Sequence, residues 1–421
     1  MTIQLQSGVR LHLISTDKYK TTRIFLRFST RHNKTSASKR TLLTSLLETN
    51  SLHYPSQTAL STKLADLYGA SFGMDVGKKG NIHQINMLLS FVNGKYIGEE
   101  QIFNQGIEFL HSILFYPNIK ENQFDGTTFK LEKANTIAYL KSVEEDKQAL
   151  ASLNIQSLYF DQDDNQKTPS FGTVEDMEKV TNEELVETYQ EMLANDQVDI
   201  FVVGDITEAQ VKTAFKEWVF PQTQRAEIKM FYHQDPVFSV KKKTKYEDVM
   251  QAKLNLGYQT NTYYDDDQRL SLMVFNGLFG GYPHSKLFLN VREKESLAYY
   301  ASSSFDSFRG FMTVQTGIDG KNKEKVLALI NQQLESIRQG DFTEVELEQT
   351  KTMLKNDYLL SLDNAQSLIE RAYLNTWLPE VVDDEEEFLS RLQNVTKEDV
   401  QQLAKKISLQ AIFFLDAEGK K

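Results

Sequence analysis

Seven histidines are the only imidazoles in this 421-residue chain, and the two nearest in sequence, His12 and His32, stand 20 positions apart. A helical zinc site needs two imidazoles about one turn apart plus a third protein ligand, leaving the fourth position for water. Neither His12, His32, His53, His83, His111, His233 nor His284 has a partner at that spacing, and there is no cysteine to supply a thiolate. His83 falls in phase with the apolar positions Ile85, Met87, Leu89 and Phe91 and reads as a core histidine. His53 precedes a turn and His284 sits in the glycine segment, a place suited to contact with a substrate or an interface. No glycine loop of the phosphate-cradling or dinucleotide type is present, and no Gly-x-Ser-x-Gly elbow. Asp265–Asp267 lacks calcium-loop spacing and suits a helix N-terminus, where carboxylates complement the dipole.

The bulk numbers fit a folded chain. With 40% apolar and 11% aromatic residues it can form cores, and its length suits two domains rather than one. Acidic residues outnumber basic ones, 58 to 47, for a net charge of -11, which argues against a dedicated nucleic-acid surface. The run Lys241-Lys242-Lys243-Thr244-Lys245 is a local exception and reads as solvated linker, or else as a polyanion contact. No apolar h-region follows Met1, and no stretch approaches the roughly 18 apolar residues of a membrane span. The expectation is a soluble, cytoplasmic protein without disulfides.

The elements that would position any site occur twice. Val180-Thr181-Asn182-Glu183-Glu184-Leu185 is echoed by Val395-Thr396-Lys397-Glu398-Asp399-Val400. Each reads as a helix start with threonine at the N-cap and an acid three positions on. Hydrophobic strands follow at Asp199–Val203 and Ala411–Leu415. Upstream, a strand at Ile85–Phe91 parallels one at Phe311–Ile318. Helical stripes follow each: Ile107–Ile113 with a long segment Phe124–Ala151, and Val326–Ile337 with Glu344–Tyr373. This mixture predicts an α+β fold of two homologous domains, each a mostly antiparallel sheet with helices packed on one face. The boundaries fall at 1–222 and 240–421, with a linker at 223–239 around Pro221, Pro236 and the lysines.

The second half then contains Phe279-Gly280-Gly281-Tyr282-Pro283-His284-Ser285-Lys286-Leu287-Phe288, running into Val291-Arg292-Glu293-Lys294-Glu295-Ser296-Leu297-Ala298-Tyr299. This resembles the second-half signature of the pitrilysin, or insulinase, metallopeptidases, the inverzincins, and especially their zinc-less YmfF-type members found beside an active sister. The resemblance covers essentially the whole chain and implies the LuxS/MPP-type metallopeptidase fold. It places Arg292, Tyr299, Gly280 and Gly281 at a substrate face. An arginine can donate two hydrogen bonds to a peptide carbonyl or carboxylate, and a tyrosine hydroxyl can stabilise a developing oxyanion. The bland alternative makes Arg292 a surface ion-pair partner, Tyr299 a core aromatic and the glycines a plain turn.

The family's first-half motif is His-x-x-Glu-His with a later glutamate. The corresponding stretch here is Thr41-Leu42-Leu43-Thr44-Ser45, and Tyr139 stands where the later glutamate belongs. The resemblance therefore implies no metal and no catalytic residue in this chain alone, with zinc held by a homologous partner. The implied function is a non-catalytic subunit of a heterodimeric zinc metallopeptidase that contributes peptide binding and oxyanion stabilisation. The alternatives are a peptidase-like binding or scaffold protein with no catalytic role, and a hydrolase with an unrecognised site.

Overall fold

Along β3 (Thr21–Arg31), Ile24, Leu26 and Phe28 are fully buried on one face, as the period of two for a strand requires. The computed structural model describes residues 1–237, 239–381 and 383–417; parts of the expected linker and second domain lie outside these. Its chain divides into two units. The first comprises 1–142, 168–230 and 363–373, and the second 143–167, 231–362 and 374–421. The long-range packing thus interleaves stretches from both halves of the sequence in each unit.

In the first unit β1 (Thr2–Gln6), β2 (Val9–Ser15), β3, β4 (Ser71–Lys79), β5 (Ile82–Val92) and β8 (Gln197–Gly204) form a sheet in the order β1-β2-β8-β3-β5-β4. Only the β2–β8 pairing is parallel. Two-residue strands β6 (Ile119–Lys120) and β7 (Gln123–Phe124) make a separate hairpin. Helices α1 (Lys34–Thr49) and α2 (Gln57–Asp66) lie between β3 and β4, α3 (Ile102–Phe115) between β5 and β6, and α4 (Gly126–Glu145) after β7. Ile85, Met87 and Leu89 of β5 and Ile200 and Val202 of β8 join the buried face of β3. Leu43 and Leu47 of α1 and Phe109, Leu110 and Ile113 of α3 cover it.

In the second unit α5 (Lys147–Tyr159) is the first helix, followed by the short α6 (Asp164–Lys167). The chain then returns to the first unit through α7 (Val174–Lys179), α8 (Asn182–Asn195) and α9 (Glu208–Ala214). The second unit's sheet contains β9 (Lys241–Glu247), β10 (Ala252–Gln259), β11 (Ala298–Asp306), β12 (Phe311–Ile318) and β13 (Ser408–Ala417), ordered β11-β12-β10-β13-β9. Again one pairing, β13–β9, is parallel. Leu254 and Leu256 of β10, with Val314 and Phe414, pack on α10 (Arg269–Asn276), α11 (Lys323–Arg338) and α15 (Lys397–Lys406). Helices α12 (Glu344–Ser361), α13 (Ala365–Trp377) and α14 (Glu385–Gln393) lie in the chain between α11 and α15.

Five strands have the same spatial order, chain order and direction in both sheets, so β2, β3, β4, β5 and β8 correspond to β9, β10, β11, β12 and β13. Both echoed threonines are N-caps with capping boxes. Glu184 N donates to Thr181 Oγ1 at 3.3 Å and Asp399 N to Thr396 Oγ1 at 3.2 Å, while each acid accepts from the threonine's own N–H.

The structure adds a helix on the second face of each sheet. The expected segment Phe124–Ala151 is interrupted at Asp146, whose carboxylate accepts from Gln148 N and Ala149 N and so starts a new helix, α5. Ala151, Ile155 and Tyr159, one turn apart, pack with Phe311, Phe413 and Leu415. Glu344–Tyr373 is interrupted likewise at Asn364, which accepts from Gln366 N and Ser367 N. The α13 segment through Tyr373 belongs to the first unit. The lysine run is not a linker. It forms β9, the outer strand beside β13, where Lys241 pairs with Asp161 and Lys245 with Glu247. Lysines along an edge strand discourage further pairing.

Candidate functional site

Helix α1 begins at Asn33, whose side chain accepts from Thr35 N. Apolar Leu42, Leu43, Leu46 and Leu47 turn inward and leave Thr41, Thr44 and Ser45 on a neighbouring face. There the three hydroxyl residues meet α4 in a pocket of about 380 Å³, which Tyr139, Thr136 and Glu132 line from α4 and Asp75 from β4. Thr41, Thr44, Ser45 and Tyr139, nearly 100 residues apart at the extremes, therefore line one pocket. Glu132, Asn135, Thr136 and Asp75 were not singled out in the sequence. Spacing on α4 (132, 136, 139) places three of the wall residues on one helical face once Tyr139 is fixed.

This pocket does not fit zinc. Thr41 Oγ1 donates to Ala37 O at 3.1 Å and Thr44 Oγ1 to Thr41 O at 2.7 Å, so their protons are committed to their own helix. Ser45 Oγ lies 3.5 Å from Thr41 O and 3.4 Å from Thr136 Oγ1. Neutral hydroxyls that donate to carbonyls supply neither the charge nor the lone-pair geometry of imidazole or thiolate ligands. Among the described residues no group of three or more His, Cys, Asp or Glu side chains is arranged to hold a metal. Carboxylates nearby repel one another: burial raises the Glu48 carboxyl, and the charges of Glu132 and Asp75 add to the rise.

The histidines are spent elsewhere. Arg40 Nε donates to His83 Nδ1 at 3.0 Å, and His83 Nε2 donates to Ser170 O at 2.8 Å. This fixes a neutral ring, and burial, helped by Arg40 and His32, holds its pKa well down. His53 contacts Ser112 Oγ at 3.0 Å, and His284 contacts Thr350 Oγ1 at 2.8 Å.

In the second unit, α10 passes into a π-helical turn at Gly277–Gly281. A Cβ on Gly280 would stand 2.7 Å from Ser303 N and 2.8 Å from Leu287 Cδ1, so glycine is what lets this turn pack on β11. Gly280 is buried and Gly281 exposed, with Asn276 Nδ2 2.7 Å from where a Cβ on Gly281 would lie. Tyr282 donates to Asp357 Oδ2 at 2.6 Å and stacks on His284, tying the turn to α12. A second π-helical segment, Leu287–Lys294, follows buried Ser285. It carries Arg292, whose guanidinium lies 4.5 Å from the Phe288 ring centroid and whose Nε is 3.3 Å from Glu293 Oε1.

The chain then turns through Ser296 at φ 52 and enters β11 with a bulge. Ala298 pairs with Ile318 and Tyr300 with Gly317, leaving Tyr299 as the extra residue without a partner. A bulge re-aims a side chain at a sheet edge, and Tyr299 is 71% exposed. Tyr299 is therefore no core aromatic. Arg292 also reaches solvent, with 43% of its side chain exposed. Both residues stand on irregular backbone, a π-helix and a bulge, of the kind that recurs at functional sites.

Residues 179–354 match the family described as the Peptidase M16 inactive domain. The "Probable inactive metalloprotease YmfF" of Bacillus subtilis is 35% identical over 410 residues, spanning 97% of this chain and 96% of that protein. The "Uncharacterized zinc protease YmxG" of the same organism is 27% identical over 241 residues, 57% of this chain and 58% of that one. A crystal structure of a conserved protein from Enterococcus faecalis V583 superposes with a TM-score of 0.96 at 52% identity, covering 100% of this chain and 99% of the other. The fold is shared with a peptidase M16 inactive domain from Pseudomonas fluorescens, at a TM-score of 0.80 and 16% identity over 99% of this chain and 98% of that one. The chain belongs to the peptidase M16 family, that of pitrilysin and insulinase, as one of its inactive members.

Proposed function

We propose that this chain is the non-catalytic subunit of a heterodimeric zinc metallopeptidase. A zinc-bearing homologue holds the metal, the water and the general base. This chain contributes Arg292 to bind a peptide carbonyl or carboxylate and Tyr299 to stabilise the oxyanion. The observation that carries the reading is the bulge at Tyr299, which turns a large aromatic out into solvent although its neighbour Ala298 is buried. A protein serving only as a scaffold gains nothing from exposing that ring. At the substrate face Gly280 lets the π-helical turn close on β11, and Gly281 lets it close on Asn276.

The matched topology of the two sheets supports a duplication, with peptidase-like domains at 1–222 and 240–421 and a linker at 223–239. The acidic, cysteine-free composition suits a cytoplasmic setting. Co-purification from the native cell, then peptidase assays of each subunit alone and combined, tests the proposal. Activity that requires both chains supports it. A zinc-bearing partner fully active by itself favours the scaffold reading.

A further inference from the structure

The chain re-enters the first unit at Thr168 and reaches the N-cap of α7 at Thr173. The stretch 168–173 has no regular structure and is held by side chains that donate to its carbonyls. His32 Nε2 donates to Thr168 O at 3.1 Å, Lys78 Nζ to the same oxygen at 2.8 Å, and His83 Nε2 to Ser170 O at 2.8 Å. At the far end Thr173 N donates at 3.2 Å to Ser38 Oγ, on a buried residue of α1. Between these anchors Phe171 forms part of the wall of the pocket that Thr41, Ser45 and Tyr139 line. The stretch is a strap against α1, fastened in large part by two imidazoles.

Those imidazoles lie 3° from parallel with their centroids 5.6 Å apart. His83 is fully buried and can hold Ser170 O only as a neutral ring, because Arg40 Nε donates to its Nδ1 at 3.0 Å and leaves no place for a second proton. Arg40 is not free to withdraw, since its Nη2 is paired at 2.7 Å with Asp196, itself buried at the end of α8. The other groups facing His83 are the His32 ring and Lys78 of β4, so nothing there offsets an added positive charge. Burial, with Arg40 and then His32, accordingly holds the His83 pKa well below its ordinary value. A proton on Nδ1 would point at the guanidinium, and the ring must turn away. Turning takes Nε2 from Ser170 O and breaks the stack with the ring that holds Thr168 O.

We propose that His83 is a proton-operated latch, whose protonation releases the strap and with it Phe171, opening one wall of the pocket on α1. Every group belongs to the first unit, so the device needs no partner subunit and stands apart from the function proposed above. Its sign follows from linkage. The closed form keeps His83 neutral, whereas an opened form lets it titrate at the ordinary pKa of about 6.5. Opening is therefore favoured about tenfold for each pH unit below about 6.5 and does not vary with pH above it.

The chain has no cysteine, so a single introduced thiol reports on opening. Thr168 is the near end of the strap and Ser38 lies under its far end, at 3% and 1% exposure. Thr168→Cys and Ser38→Cys are made separately in the full-length chain. The rate of each thiol with 4,4′-dithiodipyridine is measured in the native protein and in urea at the same pH, and the ratio of the two cancels the thiol's own ionisation. With His83 in place the ratio should be flat above about pH 7 and rise about 30-fold between about pH 6.5 and pH 5. His83→Gln keeps a donor for Ser170 O but gains no proton, so in its background the ratio should not vary with pH, whatever its level. Circular dichroism at each pH monitors the fold, and if one reporter fails to fold at neutral pH the other decides. A folded reporter whose ratio stays flat to pH 5 overturns the proposal. So does an equal rise in His83→Gln, or a rise that accompanies loss of the far-ultraviolet signal, which is global unfolding.

Discussion

Arg27 of β3 and Glu370 of α13 are ion-paired across 343 positions of sequence. The guanidinium is almost wholly buried. Its Nε donates to Asn86 Oδ1 at 2.9 Å, and it lies 4.5 Å from the centroid of Tyr373. Lys79 Nζ is 3.1 Å from the other carboxylate oxygen. The segment 363–373 thus brings to the first unit's sheet the anion that a buried arginine needs.

Burial pushes the Glu370 carboxyl upward, but Arg27, joined by Lys79, outweighs it and holds the pKa at about 2, below the ordinary value of 4.5. A depressed carboxylate pKa stabilises the fold above the unfolded value and loses that contribution as pH falls toward the folded one. Stability of the wild type should therefore fall between about pH 5 and pH 2 more steeply than that of Glu370→Gln. At pH 7 the substitution should cost about 2–3 kcal/mol in urea unfolding, because Arg27 keeps its charge in a buried place. Parallel pH profiles for the two proteins would remove this pair from the account.

The capping boxes offer a matched pair of measurements. Thr181→Ala and Thr396→Ala should each destabilise by about 1 kcal/mol, through loss of the N-cap acceptor. Thr181→Ser and Thr396→Ser should recover most of it. A negligible effect at either site would show that helix start to be held by packing alone.

Gly280→Ala places a methyl 2.7 Å from the Ser303 backbone nitrogen and 2.8 Å from Leu287 Cδ1, closer than carbon atoms pack, so the backbone of β11 must shift. Overpacking of this kind costs about 1–3 kcal/mol, readable as a lower denaturation midpoint. A variant as stable as wild type would mean that the turn tolerates a side chain and that glycine there serves another end.

Zinc content separates the pocket's shape from its ligands. Elemental analysis of the isolated chain should find no stoichiometric zinc, since Thr41, Thr44, Ser45 and Tyr139 offer hydroxyls alone. The combined change Thr41→His, Thr44→Glu, Ser45→His, Tyr139→Glu should take up about one zinc per chain, because these positions already face one cavity. Zinc bound by the wild type, removable by a chelator, would contradict the assignment of the motif.

Much of this was legible in the sequence because it rests on local rules. Alternation at Ile85, Met87 and Leu89 marks a buried strand, and Thr181 and Thr396 mark helix starts by their capping acids. Thr41, Thr44 and Ser45 were singled out through resemblance, and their meeting with Asp75 and Glu132 depends on how α4 and β4 pack on α1. The helix breaks at Asp146 and Asn364 are masked in the sequence because both segments keep helical periodicity across them. Lys241–Lys245 read as linker because charge masks an edge strand whose backbone pairing does not depend on side chains. The exposure of Tyr299 comes from one extra residue in a ladder, and register is not written in composition.

The most direct measurement concerns Tyr299 in a reconstituted heterodimer with a zinc-bearing homologue. Tyr299→Phe removes only the hydroxyl, so kcat should fall by about 10²-fold or somewhat less, with assembly and zinc content unchanged. Arg292→Lys keeps the charge but loses the two-pronged donor, so KM should rise while kcat changes little. Size-exclusion chromatography and metal analysis of each reconstituted complex establish that the comparison is fair. A correctly assembled complex carrying both substitutions, with kcat and KM equal to wild type, would contradict the shared site.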